Sequence, residues 1–280
     1  MIKRILTIFF ILSVFLTYSS QIFGQEDRAV DSLKNEISKA EGGQKVKLLN
    51  QISKQYWSIS PDSSLHFAKE ALKVAQKIND DAGISDALNR IGNAHFFLGN
   101  EEKSLSYYKN ALELRKKLNE PERLIQIYNN LGVYYANVRN VEKSNEFYHK
   151  ALKTSKETGS VEDIASYTIA LARNNYFSND YKKSIEYYLE ALENLKQLKD
   201  TSTISFVYNQ IGTIYKNISA YDESLRYYLK ALDLNKATDR NPATANTYNN
   251  LGIIHQTIEN YQKALEYYNK ALDIYEKLQM

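Results

Sequence analysis

YNNLGVYYANVRNVEKSNEFYHKA, residues 128–151, is the stretch on which the reading of this chain turns. Tyr128, Leu131, Gly132 and Tyr135 follow the i, i+3, i+4, i+7 rule, which puts them on one face of a helix. Ser144, Tyr148 and Ala151 stand at i, i+4, i+7 and define a second helix with two small residues on the stripe that carries the ring. Asn140 between them is suited to accepting the free N–H groups of a helix start. The spacing therefore predicts a helical hairpin, helix A followed by helix B.

Working outward, the same positions return every forty residues. Glycine or alanine stands at Gly92, Gly132, Ala172, Gly212 and Gly252, and nineteen residues later come Ala111, Ala151, Ala191, Ala231 and Ala271. Tyrosine precedes each of those alanines by three, at Tyr108, Tyr148, Tyr188, Tyr228 and Tyr268, and Ser104, Ser144, Ser184, Ser224 and Ala264 keep the same step. Asn100, Asp180 and Asn260 repeat the turn position of Asn140. A glycine in mid-helix costs up to about 1 kcal/mol against alanine, so its return implies that the second helix passes too close for a Cβ. Other helix starts carry their own signals: Ser160-Val-Glu-Asp163 has a capping-box pattern, and Asn241-Pro242 puts an N-cap before proline.

This register resembles the tetratricopeptide repeat, whose hydrophobic signature is present in Tyr248, Leu251, Gly252, Ala264, Tyr268 and Ala271, with His255 where tyrosine is expected. The usual period is about 34 residues; the six extra residues amount to roughly 9 Å of helix and are placed at the end of helix B and the start of the next helix A. HEAT and armadillo arrays also have periods near forty, but lack this glycine and alanine register. The resemblance implies an all-α fold, a right-handed α-α superhelix or solenoid of about six helical hairpins. The expected organisation is a signal peptide over 1–24, a capping helix and degenerate repeat over 25–84, and repeats over 85–124, 125–164, 165–204, 205–244 and 245–280. In the degenerate repeat Leu49, Ile52, Ser53 and Tyr56 share one face, Ser64 or Leu65 and Ala71 another, and the aromatic position holds Ala68. The preceding helix, 26–41, is expected to stop at Gly42-Gly43.

At the amino end, Lys3 and Arg4 precede an uncharged run, Ile5 to Tyr18, and a short polar stretch leading to Gly24, the layout of a secretory signal peptide. Ile5 to Phe23 is also just long enough for an uncleaved anchor. Both readings export the remainder to the periplasm or the extracellular side of a bacterial envelope, because the positive charges stay inside. No later stretch is apolar enough to span. The 280 residues are 43% hydrophobic and 25% charged, an ordinary soluble composition, and 23 tyrosines against 3 prolines reflect the repeat. With no cysteine, neither a disulfide framework nor a thiolate metal site is open to the chain. Loss of Lys3 and Arg4 lowers the formal net charge of +3 to nearly neutral, and the remaining charges are interspersed, which argues against a nucleic-acid footprint.

On an α-α superhelix the concave face is where a partner would lie. Positions three before, one after and four after each glycine fall together on helix A, away from helix B. Three before it stand Asn50, Asn89, Asn129, Asn209 and Asn249, with Ile169 as the exception, an amide ladder able to satisfy an extended peptide backbone. Trp57, Phe96, Phe97, Tyr176 and Phe177 offer apolar pockets beside it, and Arg90, Arg173 and Lys216 scattered positive charge. The competing reading is that the asparagines bond neighbouring helices and fix repeat geometry. In longer-period tetratricopeptide families groove asparagines resemble a peptide-holding arrangement; the lysines and arginines of a clamp for an acidic carboxyl-terminal tail are not evident.

An enzyme has little to build on: His95 and His255 take a position held by tyrosine in other repeats, His66 and His149 are isolated, and no phosphate loop or nucleophile elbow occurs. The resemblance thus implies a noncovalent scaffold for a peptide or protein segment, with no cofactor, no metal and no nucleic acid. Its alternative is the sensor half of a bacterial signalling protein, an array ahead of a membrane helix and a kinase or DNA-binding output. Leu272, Ile274, Tyr275 and Leu278 leave an apolar side on the last helix, a candidate surface for self-association.

Overall fold

The computed structural model describes residues 30–235 and 242–278, so the expected signal segment, Met1 to Gly24, and the cap at Asn241 lie outside the described residues. Thirteen helices and no strand are found among them. A first helix, α1, covers residues 30–39. Six hairpins follow: α2 (Gly42–Tyr56) with α3 (Pro61–Lys77), α4 (Asp81–Phe97) with α5 (Glu101–Leu118), α6 (Pro121–Asn137) with α7 (Val141–Thr158), α8 (Val161–Phe177) with α9 (Tyr181–Leu198), α10 (Thr201–Asn217) with α11 (Tyr221–Asn235), and α12 (Pro242–Thr257) with α13 (Tyr261–Leu278). The A helices are α2, α4, α6, α8, α10 and α12. Most A helices have 17 residues and most B helices 18, with most connections of two or three, so the length beyond 34 residues is carried as helix.

The chain divides within α6 into two compact units, residues 1–130 and 131–280. In the first, Leu33 of α1 packs with Ala40, Leu48 and Ile52, and Leu49, Ala71 and Ala87 join α2, α3 and α4. In the second, Ala172, Tyr188, Leu192, Ile204, Val207 and Ile211 belong to a core shared by consecutive hairpins. Fully burying a leucine, isoleucine or valine side chain among these contributes about 1.5–3 kcal/mol in gross terms.

Inside each hairpin the small positions have a defined use. A Cβ added at Gly92 would meet the Tyr108 ring at 2.6 Å, at Gly132 the Tyr148 ring at 2.7 Å, at Gly212 the Tyr228 ring at 2.9 Å, and at Gly252 the Tyr268 ring at 2.5 Å. What approaches too closely is therefore the tyrosine ring of helix B, not its backbone. Ser144, Ser184 and Ser224 donate their hydroxyls to the carbonyls of Gly132, Ala172 and Gly212 at 2.7–2.8 Å, closing the pair from the other side. In the first hairpin Ser53 and Ser64 take the equivalent places and each donates to the other's carbonyl at 2.9 Å. Ala68, fully buried, fills the ring position there, so no glycine is needed opposite.

From α4–α5 onward the turns between A and B share one geometry. Gly99, Arg139, Asn179, Ser219 and Glu259 all lie in the left-handed region, φ 58–73°. The next N–H in each, Asn100, Asn140, Asp180, Ala220 and Asn260, donates back to the carbonyl of residue 95, 135, 175, 215 or 255 at 2.8–2.9 Å, a Schellman closure. Asn140, Asp180 and Asn260 then cap helix B by accepting from the N–H three residues on, and Ser160 does the same for α8. Asn100 does not cap α5; its Nδ2 lies 3.5 Å from Nδ1 of His95 instead. The stop expected at Gly42-Gly43 falls earlier: α1 ends at residue 39, and the two glycines open α2, Gly42 with φ +57°.

Candidate functional site

Each unit presents a face of its A helices that turns away from helix B. In residues 1–130 it carries Asn50 on α2, Asn89 on α4 and Asn129 on α6. Asn50 and Asn89 are buried, 8% and 5% exposed, while Asn129 is half-buried. Asn89 accepts from Nδ2 of Asn130 on the next A helix at 2.9 Å. Its neighbour one turn on, Asn93, accepts from the Tyr108 hydroxyl at 2.7 Å. Burial pushes that phenol well above the usual tyrosine range, so it stays a donor.

In residues 131–280 the face carries Asn209 on α10 and Asn249 on α12. Asn209 donates to the Ser205 carbonyl at 3.1 Å and accepts from Thr247 on the next A helix at 2.7 Å. Asn249 is exposed. Lys216 reaches Asn250 at 2.9 Å, and Asn217 donates to the Tyr176 hydroxyl at 2.9 Å. Adjacent A helices are thus laced together by side-chain amides. Asn89 and Asn209 are spent on that lacing, the role of fixing repeat geometry, and Asn129 and Asn249 remain accessible.

The aromatic candidates gather in two places. Trp57 and Phe97, 38% and 45% exposed, meet edge to face at 5.3 Å between ring centres, with half-buried Phe96 at 5.6 Å from Phe97. Phe177, 69% exposed, stands 5.5 Å from the half-buried Tyr176 ring. Each cluster sits at the carboxyl end of its A helices, about two turns beyond Asn50 and Asn89 in the first case and beyond Ile169 in the second.

Sequence reasoning missed a polar cleft of about 450 Å³ in the first unit, where α2, α4 and the first turn of α6 meet. Lys47, Asn50, Lys54, Asp86, Arg90 and Arg123 are among the residues that line it. On one margin Asp86 takes hydrogen bonds from both Arg115 and Arg123, and Glu120 pairs with the same two arginines. Arg115, fully buried, also donates to the Ala82 carbonyl at 2.9 Å. Burial raises the Asp86 carboxyl, against the pull of Arg115, Arg123 and Arg90. The signal was faint because its residues lie thirty to forty positions apart and share no single register.

His95 and His255 stack on Tyr107 and Tyr267 at 5.5 and 5.4 Å, as Tyr135 and Tyr215 stack on Phe147 and Tyr227, so they are packing residues in a tyrosine position. Burial, then Lys103 and Lys69 for His95 and Lys263 for His255, lowers both imidazoles. No cluster of three metal-ligating side chains occurs among the described residues, and no described helix is long and apolar enough to cross a membrane.

A family model described as tetratricopeptide repeat matches residues 83–152, 123–197 and 203–277. No curated protein matches the sequence at a significant level. Among solved structures, BtubC from P. vanneervenii is 24% identical, with a TM-score of 0.68 over 79% of this chain and 92% of that one. A Rap protein complexed with Competence and Sporulation Factor is 16% identical, with a TM-score of 0.62 over 93% and 73%. The Rap conjugation gene regulator of plasmid pLS20, in complex with the Phr* peptide, is 15% identical, with a TM-score of 0.55 over 91% and 76%. At these identities the likeness is one of fold.

Proposed function

We propose a function from one premise: the chain belongs to the tetratricopeptide repeat family. On it, the exposed faces of the A helices hold an extended peptide or protein segment by noncovalent contacts. The observation that carries this reading is the pair of solvent-facing ring clusters, Trp57 with Phe97 two turns beyond Asn50 and Asn89, and Phe177 with Tyr176 on α8. Such rings cost burial energy when left wet and become anchors when a partner covers them. The accessible amides of Asn129 and Asn249 can both donate and accept along a backbone. A similar fold holds the Phr* peptide in the Rap regulator of plasmid pLS20, which supports the peptide as ligand. The protein works as an exported scaffold, on the strength of the leader-like run after Lys3 and Arg4.

The test is affinity selection of random peptides on the purified chain, followed by titration of a selected peptide. Phe97→Ser and Asn129→Ala are expected to weaken a peptide seated on the first unit about tenfold or more, and Phe177→Ser one seated on the second, each with an unchanged melting temperature. Failure to enrich any peptide, or full affinity in all three variants, rejects the reading.

A second reading rests on α13, where Tyr261, Leu265 and Leu272 are 65%, 61% and 53% exposed and form one stripe. The counterparts of Leu272 on earlier B helices, Leu112, Leu152 and Leu192, are buried, and Leu232 is half-buried. A surface of this kind suits self-association, or contact with the membrane and output parts of a signalling protein whose sensor half this array would be. Light scattering separates the two: a concentration-dependent mass abolished by Leu265→Glu supports self-association, and a constant monomer mass leaves the sensor arrangement.

A further inference from the structure

The last hairpin leaves bare a surface that the hairpins before it use. On α9, Tyr188, Leu192 and Leu195 share a core with Ile204, Val207 and Ile211 of the next A helix, α10. On α11, Leu225 and Leu232 pack against a core that holds Leu251 and Ile254 of α12. Leu265 and Leu272 stand forty residues on from that pair, but on α13 both are exposed, and so is Tyr261 beside them. At about 100° per residue, Tyr261, Leu265, Leu272 and Glu276 fall within about 60° of arc. Exposed Gln262 and Asn269 flank that stripe on one side, and half-buried Tyr268 and Tyr275 on the other.

The order of these residues along the helix singles out one occupant. Counted from the point midway between Tyr268 and Asn269, Leu265 lies as far toward one end as Leu272 toward the other, and the same holds for Tyr261 with Glu276 and for Gln262 with Tyr275. If a second copy is laid antiparallel about a two-fold axis through that point, Leu265 meets the partner's Leu272, and Tyr261 can donate its phenol to the carboxylate of the partner's Glu276. The amides of Gln262 and Asn269 then face phenols. Leucine lies on leucine, donor on acceptor, and no like charges are brought together. The ion pairs Glu266–Lys270 and Asp273–Lys277 lie about a quarter turn or more off the stripe, so neither has to be buried. A seat for one more A helix needs no such symmetry, and the four preceding repeats carry Lys116, Lys156, Lys196 and Lys236 where α13 has Glu276.

We propose that α13 is a homodimer interface in which two copies of the chain join antiparallel, with Leu265 and Leu272 at its centre and Tyr261 and Glu276 at its two ends. It rests on the self-association reading above and adds what covers the stripe, the same stripe of a second copy. An interface of this kind closes at two copies and does not propagate. Contact along one helix face is small beside that of a permanent dimer, so the association is reversible and falls in the micromolar range.

The experiment is sedimentation equilibrium of the full chain and of two variants carrying exposed charges of opposite sign, Leu265→Lys and Leu272→Glu. Each variant alone sets a charge against the partner's leucine twice over, and its dimer dissociation constant is expected to rise about tenfold or more. Mixed in equal amounts, the two should recover a dimer. In the mixed pair the new lysine meets the new glutamate in one half of the contact, and leucine meets leucine in the other. The sequence has no cysteine, so Asn269→Cys adds a single thiol beside the axis, and mild oxidation should link it to its own copy, whereas Leu229→Cys on exposed α11 surface should stay unlinked. Association that survives both single changes, a mixture no better than either variant alone, a mass that grows past two copies, or equal linking of both thiols overturns the two-fold pairing while self-association itself stands. A parent chain that stays monomeric into the millimolar range, about a thousandfold above the expected constant, removes both.

Discussion

Gly132 and Tyr148 show how much a single pair of residues decides. The ring lies where the glycine's Cβ would be, 2.7 Å away, and its hydroxyl is held to about 12 by burial. Gly132→Ala gains helix propensity of about 1 kcal/mol but must displace a buried ring, an overpacking cost of about 1–3 kcal/mol. The expected net result is a lower melting temperature, and in a Tyr148→Ala background the same change should become stabilising, which a double-mutant cycle reads directly. If Gly132→Ala raises stability in the presence of Tyr148, the ring is not the constraint. The need for a small residue was legible from its forty-residue return; the group it accommodates was not, since spacing gives an angle on the helix and not the rotamer of the facing side chain. The asparagines illustrate the same limit. Their common position was plain in the sequence, but the lacing of Asn89 to Asn130 and Asn209 to Thr247 depends on what the neighbouring helix presents.

At the level of the hairpin, the A–B turn asks one residue for a left-handed backbone, and the sequence meets that demand unevenly. Gly99 and Asn179 suit it, whereas Arg139, Ser219 and Glu259 adopt it at a steric cost of about 1–2 kcal/mol, partly offset because glycine loses more entropy on folding. Glu259→Gly is therefore expected to stabilise the protein by about 0.5–1 kcal/mol, read as a rise in melting temperature, while Gly99→Glu should lower it. No change in either variant would mean that the turn relaxes freely. Helix existence was legible at this scale because the glycine, tyrosine and alanine rows fix both faces. Caps were legible where Asn140, Asp180, Asn260 and Ser160 stand, and misled at Asn100, where a histidine five residues back competes for the same amide. The φ > 0 positions could not be read, since arginine, serine and glutamate give no hint of them.

Across the whole molecule, charge and burial make acid the weak direction. His95 and His255 are lowered by burial and nearby lysines, so the unfolded chain binds their protons more readily than the folded one. Their contribution is complete above the unfolded value of about 6.5 and declines as pH falls through it toward the lower folded value. Glu266 and Asp200, held below the usual carboxylate range by bonds to Lys270 and Thr203, add a further loss at lower pH; Asp86, raised by burial, opposes it. Melting followed against pH should fall first between about 7 and 5.5, and His255→Tyr, the residue found at positions 135 and 215 of the same register, should remove part of that step. A flat profile in the parent protein would mean that neither ring is held neutral. Ser53 opposite Ser64, with Ala68 in place of the ring, carries a consequence of another kind. It shows that the repeat has two self-consistent solutions, glycine or the single methyl of Ala172 under tyrosine, and serine under alanine, and that a serine under tyrosine or a glycine under alanine would crowd or empty the space. Copies of the unit can therefore drift from one solution to the other only by paired substitutions, and the order in which the bulky member is lost first is the gentler route through sequence space.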